Sequence, residues 1–190
     1  MLRRDECLKI LAEQVTDEVV VCTIGIIGYQ WSYYSGGRPA LFDCGAMGLA
    51  SSIGLGLAVG MPHRKVLVLD GDGALLMNLG TLATIAQQNP PNLVHFVFQN
   101  SLYESSGGQR LVGADKIDFA QMARGAGIER SYNIDELEDF KSKLNDFLKT
   151  PGLTFAALKS RSGERPPAHQ KKGYLESKRQ FMEFISQEGG

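Results

Sequence analysis

Short apolar runs alternate with longer segments of helical spacing along this chain. Residues 18–24, 65–69, 93–98 and 153–158 are brief runs rich in Val, Leu and Phe, and read as buried strands. Between them, 74–88 repeats Leu75, Leu79, Leu82 and Ile85 on one helical face, and 136–148 repeats Leu137, Phe140, Leu144 and Phe147. Residues 7–14 and 119–125 read as shorter helices. Residues 45–59 alternate small and apolar side chains, which predicts a buried helix that lets another helix approach closely. The Tyr-, Ser- and Gly-rich stretch 31–39 and the polar stretch 100–113 read as loops, and 41–43 as a short extended piece.

Strands alternating with helices predict an α/β fold: three layers, α/β/α, around a mainly parallel sheet. Right-handed crossovers then gather the strand C-termini on one edge, where ligands bind. With 190 residues, one domain is expected over 1–160. From 161 the chain is polar, carries Pro166-Pro167, and ends in an amphipathic helix over about 174–185. The segment 161–190 reads as an arm that packs on this or a neighbouring subunit, or as an active-site cover.

A net charge of −1 gives no basic footprint for nucleic acid. Cys7, Cys22 and Cys44 are odd in number and form no CxxC pair, so neither a disulfide framework nor a zinc or iron–sulfur site is expected, and a reducing cytoplasm fits. The N-terminus has no secretory apolar stretch, and no run approaches the ~18 apolar residues of a membrane span. His63, His95 and His169 lack ligand spacing and read as surface or structural.

The candidate chemistry sits in Gly71-Asp72-Gly73, after one buried strand, and Asn100, after the next. The 26 residues between Gly73 and Asn100 suit one helix plus one strand, which returns the chain to the same sheet edge. Asp72 and Asn100 then offer two hard oxygen ligands to Mg²⁺, which commonly shares its octahedral shell with phosphate oxygens. Gly71 and Gly73 admit a close backbone approach, and a helix beginning near Ala74 directs N–H groups at an anion. An EF-hand counted from Asp70 would need glutamate where Thr81 stands. No G-K-[ST] phosphate loop is present, and Gly54-Leu-Gly56 follows a helix rather than a strand, which argues against a dinucleotide fingerprint.

Residues 71–86, Gly-Asp-Gly-Ala-Leu-Leu-Met-Asn-Leu-Gly-Thr-Leu-Ala-Thr-Ile-Ala, followed by Asn100, resemble the signature of thiamine-diphosphate-dependent 2-oxo acid decarboxylases. The segment from Asp43 through Gly45-Ala-Met-Gly48, and Ser105-Ser-Gly-Gly-Gln109, resemble that family's sulfopyruvate and phosphonopyruvate branch, over roughly residues 40–115. Gln99, Cys44 and Ala46 depart from common choices, which leaves the metal ligands intact but bears on substrate identity.

The resemblance implies the diphosphate-binding domain of a thiamine-diphosphate fold, with thiamine diphosphate and Mg²⁺ as cofactors. Asp72 and Asn100 would be side-chain metal ligands and the Leu102 carbonyl a third. Gly71 would line the cofactor site, and Gly73 and Ala74 would meet the diphosphate through their N–H groups. Gly45 would offer its carbonyl to the aminopyrimidine, and Met47 would wedge between the cofactor rings. Tyr103, Ser105, Ser106 and Gln109 are candidates for substrate contact. The activating glutamate of the family belongs to a pyrimidine-binding domain for which this chain has no room, so it is expected on a partner subunit. The implied substrate is a small anionic 2-oxo acid such as 3-sulfopyruvate, decarboxylated by a cytoplasmic hetero-oligomer that contains a dimer of this chain. A phosphonopyruvate decarboxylase, a carboligase and a non-catalytic cofactor-binding protein are the alternatives.

Overall fold

In the computed structural model, residues 1–42, 45–167 and 174–187 are described. Six parallel strands form the central sheet: β1 (Leu2–Arg3), β2 (Val19–Cys22), β3 (Val66–Gly71), β4 (Leu93–Gln99), β7 (Arg130–Ile134) and β8 (Thr154–Arg161). The order β2-β3-β4-β8 runs from one edge inward, and β8 also pairs with β7 and β1. The α/β/α layering expected from the alternating pattern is what the structure has.

The strands are buried on both faces, and successive residues supply two separate cores. Val20, Leu67, Leu69, Phe96 and Phe98 face helices α1 (Arg4–Gln14), α2 (Ile26–Tyr34) and α7 (Leu137–Lys149), through Leu8, Leu11, Trp31, Phe140, Leu144 and Phe147. Val19, Val21, Val66, Val68, Val97 and Phe155 face α3 (Ala50–Gly60), α5 (Thr81–Gln88), α6 (Phe119–Gly125) and α8 (Tyr174–Ser186). Gly54 of α3 lies so close to β3 that a Cβ there would stand 2.1 Å from Val68 Cγ2. The small residues of this segment therefore serve, at least at Gly54, to seat a helix on the sheet.

Four expectations are revised. Residues 26–34 form a helix, so 31–34 of the expected loop is helical; its apolar composition reflects burial of Ile27 and Trp31. The segment 45–49 is a turn, with Gly45 and Gly48 at φ +85° and +86°, and the helix starts at Ala50. The single helix expected over 74–88 is two, α4 (Asp72–Met77) and α5, separated at Asn78–Gly80. Within 100–113, β5 (Leu102–Tyr103) and β6 (Gln109–Arg110) form a small antiparallel hairpin. Asp43, the last residue of the expected 41–43 piece, lies outside the described residues; Leu41 bridges Val21.

Helix α8 carries the described part of the polar tail back onto the body. Phe181 is buried in the second core, and the Phe184 ring lies 4.4 Å from the Arg64 guanidinium carbon. Truncating Phe181→Ala should cost about 3 kcal/mol in urea unfolding. A change below about 0.5 kcal/mol, the usual size of a surface substitution, would mean that the helix does not dock. Among the described residues no helix is long and apolar enough to cross a membrane.

Candidate functional site

The C-terminal ends of β2, β3 and β4 open onto a cavity of about 260 Å³. Its walls come from the loop after β2 (Thr23, Ile24, Gly25), from Met47, from Gly71–Ala74, and from Phe98 to Ser106 on the loop after β4. That volume is below the roughly 300–1,000 Å³ of pockets that enclose a whole small molecule, which suits a site that receives part of a larger ligand.

Asp72 and Asn100 meet at this rim because β3 and β4 are parallel and in register, with Gly71 opposite Phe98. Asp72 is 2 % exposed. Its Oδ1 accepts from Gly73 N–H at 2.8 Å and its Oδ2 from Ser101 N–H at 2.6 Å. Burial pushes its carboxyl up to about 6, against the lowering pull of the Ser101, Gly73 and Asn100 amides. Ser101, whose N–H serves Asp72, adopts the left-handed conformation (φ +63°), uncommon for a residue with a Cβ. The next amide, Leu102 N–H, donates to Asn100 Oδ1 at 3.0 Å. Two successive N–H groups thus hold oxygens of both side chains at the mouth of one cavity.

A buried polar network, absent from the sequence-level expectations, backs this loop. Arg4 at the start of α1 is 2 % exposed and lines the cavity. Its Nη1 donates to Glu104 Oε2 at 2.8 Å and its Nε to Gln30 Oε1 at 2.6 Å. Gln30 in turn donates to the Glu164 carbonyl at 2.8 Å. Burial would raise the Glu104 carboxyl, but the hydrogen bond and charge of Arg4, with Ser162 and Arg165, outweigh it and hold the group below the ordinary glutamate value. Glu104 Oε2 also accepts from Asn100 Nδ2 at 3.0 Å.

The break between α4 and α5 ties the Met47 turn to this site. Asn78 Nδ2 donates to the Gly48 carbonyl at 3.0 Å and to Ser52 Oγ at 3.2 Å. A Cβ at Gly48 would stand 3.1 Å from the Ala74 carbonyl oxygen. On the other wall, a Cβ at Gly25 (φ +96°) would overlap Ser105 Oγ at 2.3 Å.

Of the residues singled out from sequence, Met47, Gly71, Asp72, Gly73, Ala74, Asn100, Leu102, Tyr103, Ser105 and Ser106 all line the cavity. Gly45 and Gln109 are exposed and outside its wall. Helix α4 begins at Asp72 and has only six residues, and the Gly73 N–H already serves Asp72. Asp43, Cys44 and His169 lie outside the described residues. His63 is exposed, whereas His95 is buried with Nε2 3.3 Å from Asp70 Oδ2. No group of three or more His, Cys, Asp or Glu residues that could hold a metal occurs among the described residues. A cation here would therefore draw on Asp72, the neutral Asn100 oxygen, main-chain carbonyls and the oxygens of its own ligand, which is the donor set Mg²⁺ takes with a diphosphate.

Residues 30–157 match the family described as thiamine pyrophosphate enzyme, C-terminal TPP binding domain. The chain belongs to this family. It is 38 % identical over 148 residues to the sulfopyruvate decarboxylase subunit beta of Methanocaldococcus jannaschii, covering 76 % of this chain and 78 % of that one. It is 37 % identical over 155 residues to the phosphonopyruvate decarboxylase of Streptomyces viridochromogenes, covering 82 % of this chain but 38 % of the relative. The fold matches the benzoylformate decarboxylase of Polynucleobacter necessarius with a TM-score of 0.67 at 22 % identity, over 88 % of this chain and 34 % of that one.

Proposed function

We propose that this chain is the diphosphate- and Mg²⁺-binding subunit of a thiamine-diphosphate-dependent 2-oxo acid decarboxylase, with 3-sulfopyruvate as substrate and sulfoacetaldehyde and CO₂ as products. The observation that carries the reading is the pair of oxygens from Asp72 and Asn100, fixed by successive N–H groups at the mouth of the cavity. Thiamine diphosphate, when bound, supplies the electron sink that decarboxylation of a 2-oxo acid requires.

The chain's own residues bind and orient. Asp72, Asn100 and the Leu102 carbonyl hold Mg²⁺. Gly71, Gly73 and Ala74 form the diphosphate cradle. The Gly45 carbonyl and Met47 would hold the aminopyrimidine, Met47 from the cavity wall. Tyr103, Ser105 and Ser106 face the substrate, with Gln109 on the same hairpin. Arg4 supports an anionic substrate: its Nη2 is buried with no hydrogen-bond partner among the described residues, on a residue of the cavity wall.

The similarity to a subunit beta supports a partner chain that supplies the pyrimidine-binding domain and the activating glutamate. The exposed side of α3, with Val59 and the unobstructed Gly56, supports a second copy of this chain in the same hetero-oligomer. Residues 1–160 form the cofactor-binding domain and 161–190 the arm. The buried thiol of Cys7 suits a reducing, cytoplasmic setting. Near-equal identity to a phosphonopyruvate decarboxylase supports a second reading, in which the anionic group is a phosphonate.

Gly73→Ala tests the cradle. The added Cβ would stand 2.6 Å from Tyr103 Cε1 and 2.8 Å from Cδ1, so the ring must move. Such overpacking costs about 1–3 kcal/mol, and cofactor affinity in calorimetric titration should fall roughly 10- to 100-fold. Unchanged affinity would remove Gly73 from the cradle.

A further inference from the structure

We propose that Glu104 is a positioning residue: anchored by Arg4, its carboxylate fixes which end of the Asn100 amide faces the cation. The inference rests on the assignment of Asp72 and Asn100 to a cation site. An asparagine amide has an accepting end and a donating end of nearly the same shape, so its direction is set by its neighbours. Glu104 Oε2, 3.0 Å from Asn100 Nδ2, can only accept while ionised. The Leu102 N–H, 3.0 Å from Asn100 Oδ1, can only donate. Turning the amide over would set an oxygen against a carboxylate and an NH₂ against an N–H, replacing two attractions by two repulsions.

The consequence falls on the metal. Mg²⁺ takes oxygen ligands. In the observed direction Oδ1 keeps a second lone pair beyond the one on Leu102. In the other direction Asn100 would offer only nitrogen. Glu104 itself is held: the same Oε2 accepts from Arg4 Nη1 at 2.8 Å, and Arg4 is fixed through Nε by Gln30, which donates to the chain leaving β8. The orientation of one ligand is thus tied to α1, α2 and the end of the sheet. Partners of this kind behind a metal ligand typically change metal affinity 10- to 100-fold when altered.

The test uses the full chain, with whatever subunit purifies with it, saturating thiamine diphosphate, and Mn²⁺ as the paramagnetic probe of the metal site. Arg4 and Asn100 donate to the same Oε2, so a Gln could keep both bonds with its one oxygen, and the informative change is one that removes the acceptor. Glu104→Met keeps the side-chain length and offers Asn100 no acceptor, so the carboxylate no longer opposes the turned amide, and the unpaired Arg4 guanidinium favours the amide oxygen at that end. The Mn²⁺ dissociation constant should rise roughly 10- to 100-fold. In an Asn100→Asp background both ends of residue 100 are oxygens, and Glu104 becomes a like-charged neighbour. There the same Glu104→Met change should leave Mn²⁺ binding equal or tighter. Should Glu104→Met fail to fold with Arg4 left unpaired, the Arg4→Met/Glu104→Met pair, which leaves no buried charge behind, is compared in the same two backgrounds with the same expectation. An equal loss in both backgrounds, or a parent value within twofold after the substitution, overturns the orienting role. Asp72→Ala is the control: its loss of Mn²⁺ binding alongside an indifferent Glu104→Met condemns only the Glu104 role, whereas unchanged binding in Asp72→Ala removes the cation site and this role with it.

Discussion

Asp72→Ala is expected to abolish Mg²⁺-dependent binding of thiamine diphosphate, lowering its affinity by about a thousandfold or more, about 4 kcal/mol. The substitution removes the sole acidic ligand of the proposed set. It also orphans the Gly73 and Ser101 N–H groups that now donate to that carboxylate, and a buried donor left without a partner costs roughly 1–3 kcal/mol. Ser101, held left-handed, then has less reason to keep its turn, and Asn100 and Leu102 on either side lose their alignment. Calorimetric titration of the cofactor with and without Mg²⁺ reads the effect, and Asp72→Asn separates charge from shape. Wild-type affinity in Asp72→Ala would refute the metal assignment.

The second large effect concerns the partner. The carboxylates on the described cavity wall are Asp72 and Glu104, and each is committed: Asp72 to two amides, Glu104 to Arg4 and Asn100. Neither is free to activate the aminopyrimidine. The isolated chain should therefore turn over 2-oxo acid at background, and addition of the pyrimidine-binding subunit should raise the rate by about 10²–10⁴-fold, the usual worth of a positioned acid–base group. The comparison is a stopped assay of CO₂ with this chain alone, the partner alone and both together. Full activity of this chain alone would contradict a divided active site.

The fold was legible where sequence pattern and burial coincide. Val66–Gly71 and Leu93–Gln99 are apolar runs of strand length, and their parallel pairing makes Asp72 and Asn100 neighbours. The α2 helix was hidden because its residues, Ile-Ile-Gly-Tyr-Gln-Trp-Ser-Tyr-Tyr, include four aromatics and a glycine and show no clear polar face. Strand β7, Arg-Ser-Tyr-Asn-Ile, is half polar and gave no apolar run. The break at Asn78–Gly80 interrupts an otherwise continuous apolar face; what reveals its purpose is the bond from Asn78 to Gly48, which lies 30 residues away. The network behind the site was invisible for the same reason. Arg4 and Glu104 are 100 residues apart, and a charged residue at a helix start reads as solvated until the fold buries it.

The most direct test of the account is CO₂ release from 3-sulfopyruvate, with 3-phosphonopyruvate in parallel, by this protein assembled with its native partner, with and without thiamine diphosphate and Mg²⁺. The account predicts release from 3-sulfopyruvate that requires both cofactors and exceeds release from the phosphonate. No release from either acid, with cofactor binding and partner assembly verified in the same preparation, would contradict the decarboxylase reading.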